Sequence, residues 1–95
     1  MTAYVILDVD IKDAATYAEY VAIAPAAVAL YGGRYIARGG KTELLEGNWQ
    51  PKRLVILEFA SLERAKAWVE SPEYRLARSI RHKAAVTNVV VVEGV

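Results

Sequence analysis

The hydrophobic pattern switches repeatedly between a two-residue and a 3.6-residue repeat, and that order limits the folds open to this chain more than any single residue does. Ala3 to Val9 is rich in β-formers and alternates imperfectly, which predicts a buried first strand. Asp13 can cap the next segment, where Tyr17, Val21, Ala24, Val28 and Tyr31 recur at helical spacing. Pro25 predicts a kink there, or a restart with a second short helix running to Tyr31, before Gly32-Gly33 stops it. Arg34 to Arg38 predicts a second strand. Gly39-Gly40 suggests a bulge or bend, after which Thr42 to Glu46 would continue the pairing. Gly47-Asn48 and Pro51 mark a turn, and Arg53 to Phe59 a third strand antiparallel to the second. Ser61 and Glu63 suit the start of a helix that presents Ala65, Trp68 and Val69 on one face. Ser71-Pro72 starts another, with Leu76, Ala77 and Ile80 inward and Arg75, Arg78 and His82 outward. Ala85 to Glu93 predicts a last strand.

Strand–helix–strand–strand–helix–strand, without repeat or linker, is the order of two split βαβ units. It predicts an α+β fold of ferredoxin-like βαββαβ type, a single domain over residues 1–95, with a four-stranded antiparallel sheet and helices on one face. Parity then assigns the faces. Val5, Leu7 and Val9 share one, with Val55, Leu57 and Phe59; these are wholly apolar and belong under the helices. Tyr4, Ile6, Asp8, Leu54, Ile56, Glu58, Arg34, Ile36 and Arg38 share the other, which is mostly apolar with a few charges. A chain of 95 residues buries only about 60–65% of its unfolded surface. Yet 55% of these residues are hydrophobic, against roughly 45–50% in an ordinary domain. The surplus predicts a homodimer packed sheet to sheet, a dimeric α/β barrel.

Twelve basic and eleven acidic residues leave a net charge of +1, which argues against a nucleic-acid protein driven by a broad positive field. RLVILEF also lacks the stacking aromatics of an RNA-recognition strand. There is no Cys, so disulfides, thiolate chemistry and Cys metal sites are excluded. The expected setting is the cytoplasm, with no targeting segment and no apolar run of the ~20 residues a membrane span needs. Phosphate-binding glycine loops and a nucleophile elbow are absent.

From Gly32 to about Ala85 the residues resemble a known family. GGRY, ARGG, EGNWQPKR, the pair EF, AKAWVESPEY and the late Arg81 occur in the order found in domain-of-unknown-function family 1330, DUF1330. The resemblance implies a dimeric α/β barrel of two ferredoxin-like subunits paired sheet to sheet. The wider superfamily it points to includes cofactor-free oxygenases, small-molecule isomerases and haem-handling enzymes, but fold alone transfers none of those chemistries.

The candidate site residues are Arg38, Trp49, Arg53, Glu58, Tyr74 and Arg81, with Arg38, Glu58 and His82 as candidates for catalysis. Arg38 could bind a carboxylate or enolate bidentately and Glu58 could act as a base, or the two could form an ion pair that fixes register, joined by Asp8 and Asn88. Trp49 would cap a pocket mouth or pack on the partner or on its own hairpin. Arg53 would pair with Glu43 or Glu46 across the hairpin or meet a ligand. Trp68 reads as core. Tyr74 could place its hydroxyl in a cavity or pack with it at the surface. Arg81 could reach a ligand or complement the helix dipole; His82 could act as a proton shuttle or stand solvated, complementing the same dipole. One His cannot assemble a His-based metal site, and no cofactor is expected. Together these residues predict a cavity for a small anionic or aromatic organic molecule. The protein would be a cofactor-free enzyme using proton transfer, a non-catalytic ligand-binding or regulatory module, or a purely structural dimer.

Overall fold

A computed structural model describes residues 1–95. The elements are β1 (Ala3–Ile11), α1 (Ala14–Leu30), β2 (Arg34–Arg38), β3 (Leu54–Phe59), α2 (Leu62–Glu70), α3 (Pro72–Ala84) and β4 (Ala85–Glu93). The sheet order is β2-β3-β1-β4, and the three strand pairs are antiparallel. This is the ferredoxin-like βαββαβ arrangement anticipated from the sequence. No helix is long and apolar enough to cross a membrane.

Local chemistry sets the helix ends. Asp13 accepts from the Thr16 amide at 3.1 Å and Ser61 from the Arg64 amide at 3.1 Å. Ser71 closes one helix and opens the next: its hydroxyl donates to the Trp68 carbonyl and accepts from the Tyr74 amide. Pro25 does not break α1, which runs unbroken across it. Proline has no N–H to give the carbonyl four residues back, so the Val21 carbonyl loses its helical donor while packing on the sheet holds the helix together. α3 is turned differently from expectation. Tyr74, Ala77, Arg81 and Ala84 face inward, while Leu76 is 67% exposed, because the stripe that fits under α1 is the one carrying Tyr74.

The core lies between helices and sheet. Val5, Leu7 and Val9 of β1 and Val55, Leu57 and Phe59 of β3 are buried beneath Trp68, Tyr74 and the α1 side chains. Aromatic rings carry much of it: Trp68 lies 4.4 Å from Tyr74 and 5.4 Å from Phe59, ring centre to centre. No second layer covers the opposite face, which meets only the Trp49 segment. Cα extents of 35 × 31 × 16 Å describe a slab two layers thick. Val86, Val90 and Val92 are half or more exposed beside Ile6, Leu54 and Ile56.

Two departures from expectation lie in the second strand and in the connection leading out of it. The bulge falls at Ile36, between Tyr35 opposite Leu57 and Ala37 opposite Ile56, rather than at the glycines. Residues 39–53 form a long irregular connection in which Thr42 to Glu46 pair with no strand. Glycine and proline content marks where a chain can turn, but a bulge at a β-branched residue leaves no such mark.

Candidate functional site

The Ile36 bulge decides which side chains meet. An extra residue reverses the alternation of everything after it. Arg34 therefore stays on the outer face opposite Glu58, whereas Arg38 falls opposite Val55 and turns under the helices. The two therefore do not share the face that parity assigns them, and the ion-pair alternative does not form within the chain. Glu58 is engaged by Arg34, Nε to Oε1 at 2.6 Å. That bond, with the Arg34 charge, holds the Glu58 carboxyl below its ordinary range.

Arg38 instead borders a cleft between α1 and the sheet, together with Arg53 and the rings of Tyr17, Tyr20 and Tyr35. Leu7, Val21, Val55 and Leu57 supply its apolar wall. The space amounts to about 310 Å³ including its open mouth, but the enclosed part is about 10 Å³, room for one water. A larger guest needs lining side chains to move.

Each guanidinium is held loosely by neutral groups. Arg38 lies over the Tyr35 ring, 4.4 Å from its centre, and its Nη2 donates to the Val21 carbonyl at 2.9 Å. That carbonyl is the one Pro25 leaves without a helical donor. Arg53 lies over Tyr17, 5.6 Å from the ring centre, and its buried Nε has no partner. Gly39 makes room for it: a Cβ there would collide with Arg53 Nη1, and its φ of +72° favours glycine in its own right. The expected pairing of Arg53 with Glu43 or Glu46 does not form. The ion pairs of the chain are Lys12–Asp10 and Arg34–Glu58, so neither cleft arginine meets a carboxylate.

Tyr20 and Tyr74 form the polar edge of this region. Their hydroxyls are 2.6 Å apart and buried. Burial pushes the Tyr20 hydroxyl far above the usual phenol range and Tyr74 adds to the rise, while the positive charge of Arg81 opposes it. Burial also raises Tyr35, against the opposing charge of Arg38. Arg81 is 3% exposed and its Nε has no partner, an unusual condition for a cation.

The other candidates lie elsewhere. Glu58 faces outward. His82 is on the exposed side of α3, its pKa lowered by partial burial and then by Arg81 and Arg78. Trp49 donates to Asp8 at 2.9 Å and the Lys52 amide donates to the same carboxylate, which ties residues 49–52 to the outer face. Asn88 sits opposite Asp8 across the β1–β4 pair. Trp68 is core, 1% exposed. Sequence reasoning missed Tyr17, Tyr20 and Tyr35 as lining residues. Their helical and strand spacing is that of core residues, and only the arginines beside them distinguish the place.

Chains of this architecture are small ferredoxin-like proteins with one face of the sheet bare. This one belongs to the family described as Domain of unknown function (DUF1330), which it matches over residues 2–95. Among solved structures it is similar to a protein of unknown function from Rhodopseudomonas palustris, with 19% identity, a TM-score of 0.78, and coverage of 99% of this chain and 82% of that one. It is similar also to a dimeric ferredoxin-like protein of unknown function from Jannaschia sp. CCS1, at 14% identity and a TM-score of 0.72, covering 99% of this chain and 100% of that one. A cofactor-independent oxygenase from Streptomyces nogalater shares 9% identity with a TM-score of 0.55, covering 98% and 91%. At these identities the likeness is one of fold. No curated protein matches the sequence.

Proposed function

We propose that this protein is a homodimer that binds a small anionic organic molecule in the cleft between α1 and the sheet. The supporting observation is the charge of that cleft: two guanidiniums, Arg38 and Arg53, border it, and no carboxylate lies among its lining residues. Arg53 is partly buried with an unpartnered Nε, Arg38 stands exposed at the mouth, and neither has a counter-ion, which favours an anion that supplies one. The aliphatic wall and tyrosine rings suit an apolar or aromatic body behind the charged group. Binding is favoured over proton transfer because the two bases considered, Glu58 and His82, do not line the cleft. Dimerisation is supported by the bare apolar face of the sheet and by the description of the Jannaschia relative as dimeric. A cytoplasmic setting agrees with a chain that has no Cys.

The test is thermal stabilisation by a series of small carboxylates, since a ligand that binds only the folded state raises the melting temperature. Arg38→Ala with Arg53→Ala is expected to abolish the shift, while Arg34→Ala, on the other face, leaves it intact. Equal shifts in all three proteins would refute the cleft as the site.

A further inference from the structure

The two buried tyrosines of this region share one hydrogen bond between two possible donors. A phenol carries one proton and accepts through its oxygen. The bond between Tyr20 and Tyr74 is the only one either hydroxyl makes, so it uses one of two protons. Either hydroxyl could donate; Tyr74 is 0% exposed and lines no cleft, so the arrangement in which Tyr74 donates to Tyr20 is the one that leaves the spare proton on a residue of the cleft. Tyr20 borders the cleft with Arg38 and Arg53. In that arrangement the Tyr20 proton is unspent, since its hydroxyl has no second partner in the chain.

We propose that the Tyr20 hydroxyl is the hydrogen-bond donor that selects the anionic oxygen of the ligand, a carboxylate or enolate on an apolar body, with Tyr74 as the positioning residue that holds Tyr20 as a donor. This rests on the reading of the cleft as an anion site. The two arginines supply charge, which any anion of suitable size satisfies. The phenol supplies direction, because a neutral donor fixed from behind can point its proton one way. A buried donor left without an acceptor also disfavours ligands lacking that oxygen.

The experiment compares benzoate with its neutral isostere benzamide by calorimetry. Wild-type protein is expected to bind benzoate in preference to benzamide, and Arg38→Ala with Arg53→Ala to lose benzoate. Tyr20→Phe should weaken benzoate by about tenfold or more, as expected for a hydrogen bond to a charged group, and narrow the benzoate-to-benzamide ratio. Tyr74→Phe retains the Tyr20 proton and should weaken benzoate by only about two- to threefold, through loss of the polarising partner. Should Tyr20→Phe fail to fold because Tyr74 is stranded, Tyr20→Phe with Tyr74→Phe removes both hydroxyls and is expected to show the same narrowed ratio. If the arginine variant loses benzoate while both Tyr20 variants keep the wild-type ratio, the donor proposal falls and the anion cleft stands. A Tyr74→Phe effect as large as that of Tyr20→Phe also overturns the donor proposal. If wild-type protein binds neither probe, or both alike, the cleft reading falls and takes this proposal with it.

Discussion

The two faces of the sheet handle charge in opposite ways. On the outer face each carboxylate is spoken for: Glu58 by Arg34, Asp10 by Lys12, and Asp8 by the Trp49 indole and the Lys52 amide. On the helix face two arginines border a cleft and find only tyrosine rings and one backbone carbonyl. Burying a charge without a counter-charge is costly, and the partly buried Arg53, with its unpartnered Nε, carries that cost on the helix face. The outer face lacks apolar cover. The cleft arginines lack a carboxylate partner.

That contrast can be broken from either side. The largest effect is expected from Ile56→Glu, which puts a carboxylate into the middle of the bare face. If that face meets a second copy, light scattering at micromolar concentration should report a monomer, and a persisting dimer would place the interface elsewhere. The next comes from pH. Tyr20 ionises near 10 when unfolded and higher when folded, so its contribution to stability is complete below pH 10 and is lost as pH rises through the folded value. Stability should fall by about 1.4 kcal/mol per pH unit above 10 on this account, and Tyr20→Phe should flatten the slope in alkaline melts. Gly39→Ala is expected to cost about 1–2 kcal/mol by forcing a side chain into the left-handed region. It should also lower benzoate affinity by displacing Arg53; a melting shift with affinity unchanged would remove Arg53 from the site.

Much of this was legible in the sequence. Caps at Asp13, Ser61 and Ser71 are read from residue type, because each satisfies amides in its own first turn. The buried faces of β1 and β3 follow from alternation alone. The arginine geometry was not legible, because parity holds only while a strand keeps step. One extra residue at Ile36 moved Arg38 from the face of Glu58 to the face of Tyr35. Pro25 misled for a related reason: its local preference is to interrupt a helix, and tertiary packing overrides it. The tyrosines of the cleft were hidden by resembling core, which most of their surface is.

Pro25 also bears on how fast the cleft can open. By freeing the Val21 carbonyl it gives Arg38 a neutral resting partner in place of a carboxylate. An anion of the kind proposed would compete with a single dipole for that guanidinium, and the exchange would need only a side-chain rotation, which exposed groups complete within about nanoseconds. Entry should then be limited by diffusion to the mouth rather than by release of an internal latch. Replacing the proline would give the Val21 carbonyl a helical donor that shares it with Arg38 and so weaken Arg38's resting contact.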